Sequence, residues 1–251
     1  MNEQQESRRA ASSAAPPSSE PAATPLPDDE PLLGRAAWVR ILPFGAYILF
    51  IVLGDLLEGA GFSRAGLRWL YPVQAGVVLA LLAAFWRQYE ELHRFALPFR
   101  QALAASVAGI VVLVLWVNLD TGWMTIGSAP GYDPRTDGQV DWLLVAIRIA
   151  GAALVVPIME ELFWRSFLMR WVERSDFRLV DPARIGIKAF VIPAVLFGFE
   201  HNLWLAGIVA GVAYGLLYMR HRNLWSPILA HAVTNGLLGA FVLATGSWHF
   251  W

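Results

Sequence analysis

Long apolar runs joined by short arginine-bearing connections fill most of this 251-residue chain. They decide what it can fold into. The runs fall at about 41–57, 69–86, 101–119, 142–172, 188–200, 202–219 and 225–244. Segments of this kind enter lipid, where no water can satisfy a free backbone N–H or C=O, so the chain must pair those groups within helices or a closed barrel. The expected fold is an all-α polytopic membrane protein, a bundle of about seven to eight transmembrane helices. Composition agrees, because 57% hydrophobic and 16% charged residues lie far from the averages of soluble domains.

The first 35 residues differ from the rest: they are polar and rich in proline, as in Pro16-Pro17 and Pro25-Leu26-Pro27, and too poor in apolar residues to fold. A disordered tail over 1–35 and a transmembrane domain over 36–251 are expected. No secretory signal is read, since the first apolar run begins near Ile41 and no small-residue cleavage pattern follows it. If the tail is cytoplasmic, fourteen Arg and Lys residues, Arg35, Arg87, Arg174, Lys188 and Arg220 among them, fall in inside loops. Only Arg64, Arg68 and Arg135 fall outside, so the distribution of positive charge favours an N-terminus in the cytoplasm and a C-terminus outside. A net charge of −1 with scattered arginines argues against a nucleic-acid partner. Zero cysteines exclude a thiol nucleophile, thiolate zinc and palmitoylation.

Against that apolar background the polar residues stand out. Glu160 and Glu161 are adjacent within a run that extends from Ala150 to Arg165, and an ionised carboxylate there costs several kcal/mol unless it is paired. Helical spacing places Glu161 and Arg165 on one face as an i,i+4 pair, with Glu160 turned about 100° away and free for another task. Arg148 can snorkel towards the outer surface. His201 falls at a natural break, Gly198-Phe199-Glu200-His201-Asn202, which can turn within the membrane only against protein or a wet cavity. His231 and Asn235 share a face of the last helix. Peptide hydrolysis needs a base for water and donors for the oxyanion. Glu160 with His201 can supply the first and His231 with Asn235 the second, in an intramembrane cavity.

Three short patterns carry these residues: Glu160-Glu161-Leu162-Phe163-Trp164-Arg165, Phe197-Gly198-Phe199-Glu200-His201 and His231-Ala232-Val233-Thr234-Asn235. Together, in order and on apolar segments, they resemble the EExxxR, FxxxH and HxxxN motifs of the CPBP intramembrane proteases, which include the type II CAAX prenyl endopeptidases. The resemblance covers about 145–245. It implies that Glu160 and His201 activate water, that His231 and Asn235 form the oxyanion hole, and that Glu161 and Arg165 are a supporting pair. Longer stretches, Met159 to Phe167 and Glu200 to Gly207, resemble the CAAX protease-related subgroup found with exosortase sorting systems. The resemblance therefore implies a bacterial inner-membrane enzyme, a link to a protein-sorting system, and a membrane-associated protein or peptide as substrate. Prenylation of that substrate does not follow, and the role of Glu200 beside His201 stays open.

Other intramembrane chemistries lack their residues, since no HExxH, GxSG or GxGD occurs. Zinc held by Glu160, His201 and His231 is chemically conceivable, but spacing gives it no independent support and no cofactor is expected. A non-proteolytic scaffold or chaperone that binds a partner's transmembrane or C-terminal segment is the alternative. A proton-coupled transporter would also use buried Glu, His and Arg, but no internal duplication is visible. The twelve tryptophans sit mostly near helix ends, as interfacial anchors facing membrane lipid. Gly207, Gly211 and Gly215 recur every four residues and mark close helix packing, either internal or between copies.

Overall fold

The computed structural model describes residues 33–93, 95–127, 131–136 and 138–251. The expected tail lies almost wholly outside these residues. Seven long helices follow in chain order: α1 (Arg35–Gly59), α2 (Leu70–Phe85), α3 (Phe99–Asn118), α4 (Trp142–Glu173), α5 (Ile187–Phe199), α6 (Trp204–His221) and α7 (Trp225–Thr245). A two-residue hairpin, Arg135–Thr136 with Gln139–Val140, interrupts the loop between α3 and α4. Among the described residues, five segments are long and apolar enough to cross a membrane: Arg35–Gly59, Arg64–Gln88, Phe99–Asn118, Trp142–Glu173 and Trp225–Thr245. α5 is apolar but only 13 residues long, about 20 Å at 1.5 Å per residue, and so falls short of the hydrocarbon thickness.

That short helix works because its end is covered. After Phe199 the chain turns through Glu200 to Leu203 before α6 begins, and the turn docks on the α3–α4 loop. Ile126 N–H donates to the Asn202 carbonyl at 2.7 Å, Asn202 Nδ2 donates back to the Ile126 carbonyl at 3.0 Å, and Trp204 Nε1 donates to the Trp123 carbonyl at 2.9 Å. The irregular backbone thus meets protein instead of lipid.

The glycine stripe of α6 faces α5. A Cβ on Gly207 would lie 2.8 Å from Gly198 Cα, and one on Gly211 would lie 2.9 Å from the Ala194 carbonyl. The contact is internal, and backbones rather than flexible side chains are in the way. Gly211→Val is expected to cost about 1–3 kcal/mol or more through overpacking. Thermal unfolding of the detergent-solubilised variant, with a clearly lowered midpoint, checks it.

α4 is one continuous helix that changes pitch twice, becoming a π-helix at Gly151–Val155 and again at Leu162–Leu168. Pro157 gives a physical reason for the first change. Its missing N–H breaks the ladder of the turn before it and its ring crowds that turn, so the helix widens there. The Ala152 carbonyl in this widened turn accepts a hydrogen bond from Asn235 Nδ2 at 2.9 Å.

At the other end of the bundle, buried Arg40 of α1 grips Glu91 in the α2–α3 connection through Nε at 3.0 Å and Nη2 at 2.7 Å. Arg40 Nε also donates to Ser166 Oγ of α4 at 3.1 Å, and the Ser166 hydroxyl donates to Glu91. Three parts of the chain meet at one carboxylate. Burial pushes the Glu91 carboxyl up, but the Arg40 charge and the hydrogen bonds from Arg40 and Ser166 outweigh it, leaving the group below its ordinary range. A depressed carboxylate contributes stability that is complete above its unfolded value, about 4.3, and is lost as pH falls through the folded value. Glu91→Gln should therefore cost about 1–3 kcal/mol at neutral pH and flatten the acid limb of a stability-against-pH curve.

Candidate active site

All seven long helices reach a cavity of about 290 Å³. α4 contributes Arg148 and Glu160, the α5–α6 turn contributes Glu200 and His201, α6 contributes Tyr214, and α7 contributes His231 and Asn235. The cavity runs to the end of the bundle that carries the α3–α4 loop, where Asn202 and Trp251 line it. Glu161 and Arg165 do not line it; they stand behind it in the helix packing.

The two adjacent glutamates have separate environments, as their rotation about the helix requires. Glu160 is 3% exposed, makes no side-chain hydrogen bond to a described residue, and leaves Oε2 without a partner at the cavity wall. Glu161 is fully buried, and its Oε1 accepts from Arg165 Nη1 at 3.0 Å and from His231 Nδ1 at 3.1 Å. Arg165 also donates to the Gly211 carbonyl at 3.3 Å, and its guanidinium lies 4.6 Å from the centre of the Phe197 ring. Gly211 thus takes part twice, through its missing side chain in the α5 contact and through its carbonyl with Arg165.

Hydrogen bonding fixes both histidines. A carbonyl only accepts, so His201 Nδ1 carries a proton and donates it to the Phe197 carbonyl at 2.8 Å. In the neutral ring, Nε2 of His201 is left with a free lone pair, which is the form a base needs. Trp116 of α3 meets that ring edge-on at 5.2 Å. His231 Nδ1 likewise donates to the Glu161 carboxylate, while Tyr214 stacks on its ring at 5.0 Å. Tyr214 is held in turn by donating its hydroxyl to Thr234 Oγ1 at 2.8 Å. Nε2 of His231 can donate into the cavity only when the ring is protonated. Asn235 uses one N–H of its amide on the Ala152 carbonyl and keeps the second.

The structure brings all six residues singled out from the sequence into one constellation, four on the cavity and two behind it. Glu200, whose direction the sequence leaves open, also lines the cavity and accepts from Trp164 Nε1 at 3.2 Å. Several lining residues are not singled out by sequence reasoning: Tyr47 of α1, Tyr71 of α2, Trp116 of α3 and Tyr214 of α6. A phenol inside an otherwise apolar span is the available signal for three of them. The partly buried Arg148 guanidinium lies over Tyr71 at 4.2 Å and Tyr132 at 5.1 Å, with its Nε sealed off. Among the described residues, no group of three or more His, Asp and Glu side chains is arranged to hold a metal ion.

No curated protein and no solved structure matches this chain. Residues 142–237, the stretch from the start of α4 into α7 that holds all six residues, match the family of type II CAAX prenyl endopeptidases described as Rce1-like, so the part of the chain that carries these six residues is similar to a membrane protease family.

Proposed function

We propose that this chain is an intramembrane endopeptidase that hydrolyses a peptide bond in a membrane-associated protein or peptide. The supporting observation is the pairing, on one buried cavity, of a carboxylate with an unpartnered oxygen, Glu160, and a histidine whose lone pair is left at Nε2, His201. Water held by these two groups gives up a proton as its oxygen attacks the carbonyl carbon. Negative charge then develops on the carbonyl oxygen, where protonated His231 and the second N–H of Asn235 donate. As the C–N bond breaks, the proton taken from water passes to the departing amine. Glu161 and Arg165 act through His231 and are positioning residues. Glu200, beside His201, adds a further acid to the wall.

The protein, on this proposal, sits in a bacterial inner membrane with its N-terminus in the cytoplasm, belongs to the exosortase-associated subgroup, serves a protein-sorting system, and uses no metal. Mass-spectrometric profiling of protein termini in membranes carrying wild type or Glu160→Gln, at matched expression, tests it. New termini that require Glu160 and persist with a chelator present are expected. Identical termini in both membranes would leave the cavity as a binding site for a partner's transmembrane segment, the scaffold reading.

A further inference from the structure

The one arginine on the cavity wall has no anion. Arg148 makes no side-chain hydrogen bond and no ion pair with any described residue, and its Nε is buried without a partner. The guanidinium carbon lies 4.2 Å from the Tyr71 ring centre and 5.1 Å from that of Tyr132, cation–π contacts that hold its position without neutralising its charge. It also lines a second cavity at the end of the bundle that carries the α3–α4 loop, whose other arginines are occupied: Arg64 pairs with Glu58, Arg135 with Asp133, and Arg68 donates to backbone carbonyls. Asp55, also on that second cavity, forms no ion pair among the described residues. Arg148 thus stands at the junction of two cavities as a preset, unneutralised donor.

Its distance from the reacting groups sets what can bind there. Arg148 and Glu160 lie twelve residues apart on the same helix, so their Cα atoms are separated along its axis by at most about 18 Å at 1.5 Å per residue, less where the helix widens at Gly151–Val155. An extended peptide covers a span of that size with at most about five residues at about 3.3–3.6 Å each. We propose that Arg148 binds a carboxylate of the substrate, within about five residues of the bond cleaved, and so selects chains that end or carry an acid within that reach. A planar carboxylate matches the fork of a guanidinium, and the cavity linking the two sites makes a peptide, rather than a lipid phosphate, the occupant. This rests on the endopeptidase reading for the identity of the ligand.

Binding to the full-length Glu160→Gln protein in detergent tests the anchor without consuming the probe. The probes are an N-acetylated apolar pentapeptide with a free C-terminal carboxylate, its C-terminal amide, and the amide carrying one internal aspartate, titrated by tryptophan fluorescence. The free acid should bind about tenfold or more tightly than the amide, in keeping with a charge-assisted pair. Adding Arg148→Gln should erase that ratio, and Arg148→Lys should retain part of it; Asp55→Asn should leave it unchanged. The internal aspartate separates a terminal from a side-chain carboxylate. A ratio near one, whether both peptides bind or neither does, overturns the proposal. So does a ratio that survives Arg148→Gln, or dodecyl phosphate displacing the acid with higher affinity. An Arg148-dependent ratio in a wild-type protein that cuts no peptide would fail the endopeptidase reading and keep the anchor.

Discussion

Glu160→Gln is expected to abolish cleavage while leaving the protein folded. Loss of a general base costs about 10²–10⁴-fold in rate, and Gln has the shape of Glu without its basicity. The folded state has little to lose, because Glu160 makes no side-chain hydrogen bond to a described residue and its Oε2 is already unpartnered. Thermal unfolding should therefore stay near wild type, or rise, since a neutral amide is cheaper to bury than a carboxylate. His201→Ala should cost activity on the same scale. It should also disturb structure more, since it removes the bond to the Phe197 carbonyl and the contact with Trp116. Once a substrate is known, a peptide-cleavage assay beside a melting curve checks both. A Glu160→Gln protein that still cuts within tenfold of wild type would sink the proposed chemistry.

That separation between neighbouring glutamates is legible in the amino-acid order alone. Two residues in succession on a helix point about 100° apart, and an arginine four residues on claims the second, which leaves the first for the cavity. The same period groups His231 with Asn235, and the runs of apolar residues place the long helices to within a few residues of where they lie. Period, however, says only which residues share a face. It does not say what that face meets. Tyr47, Trp116 and Tyr214 reach the cavity from three different helices, and no spacing within one helix announces a meeting between three. Arg40 reads as one more positive charge at a membrane edge, but its partners, Glu91 and Ser166, are 51 and 126 residues away. The two π segments of α4 are equally hidden, although Pro157 is a local sign for the first. Asn235 shows the cost of reading roles from residue type alone. Half its donor capacity goes to the helix widened before that proline, so its part in the chemistry depends on a distortion that an ideal helix would not contain.

The largest structural penalty should come from Arg165→Met or Glu161→Gln, about 3–5 kcal/mol each, because either leaves a buried charge without its counterpart. Both side chains are all but sealed: the pair is 4% and 0% exposed. Removing both should cost less than the singles combined. A Glu161→Leu, Arg165→Met double variant replaces two desolvated charges with apolar groups of similar volume, which often restores or improves stability. If the pair existed only for stability, this double variant would both fold and work. It should not work, because Glu161 also accepts from His231 Nδ1 and so sets which nitrogen faces the cavity. Without that carboxylate, His231 can rotate on its stack with Tyr214 or take the other tautomer, and the support for its protonated form disappears. The double variant is expected to unfold near the wild-type temperature yet cleave at least about 10²-fold more slowly, the scale of a lost oxyanion donor. A double-mutant cycle in stability, run with the cleavage assay, separates the outcomes. Full activity in a folded double variant would show that His231 needs no holder, and that the buried pair is a product of packing alone.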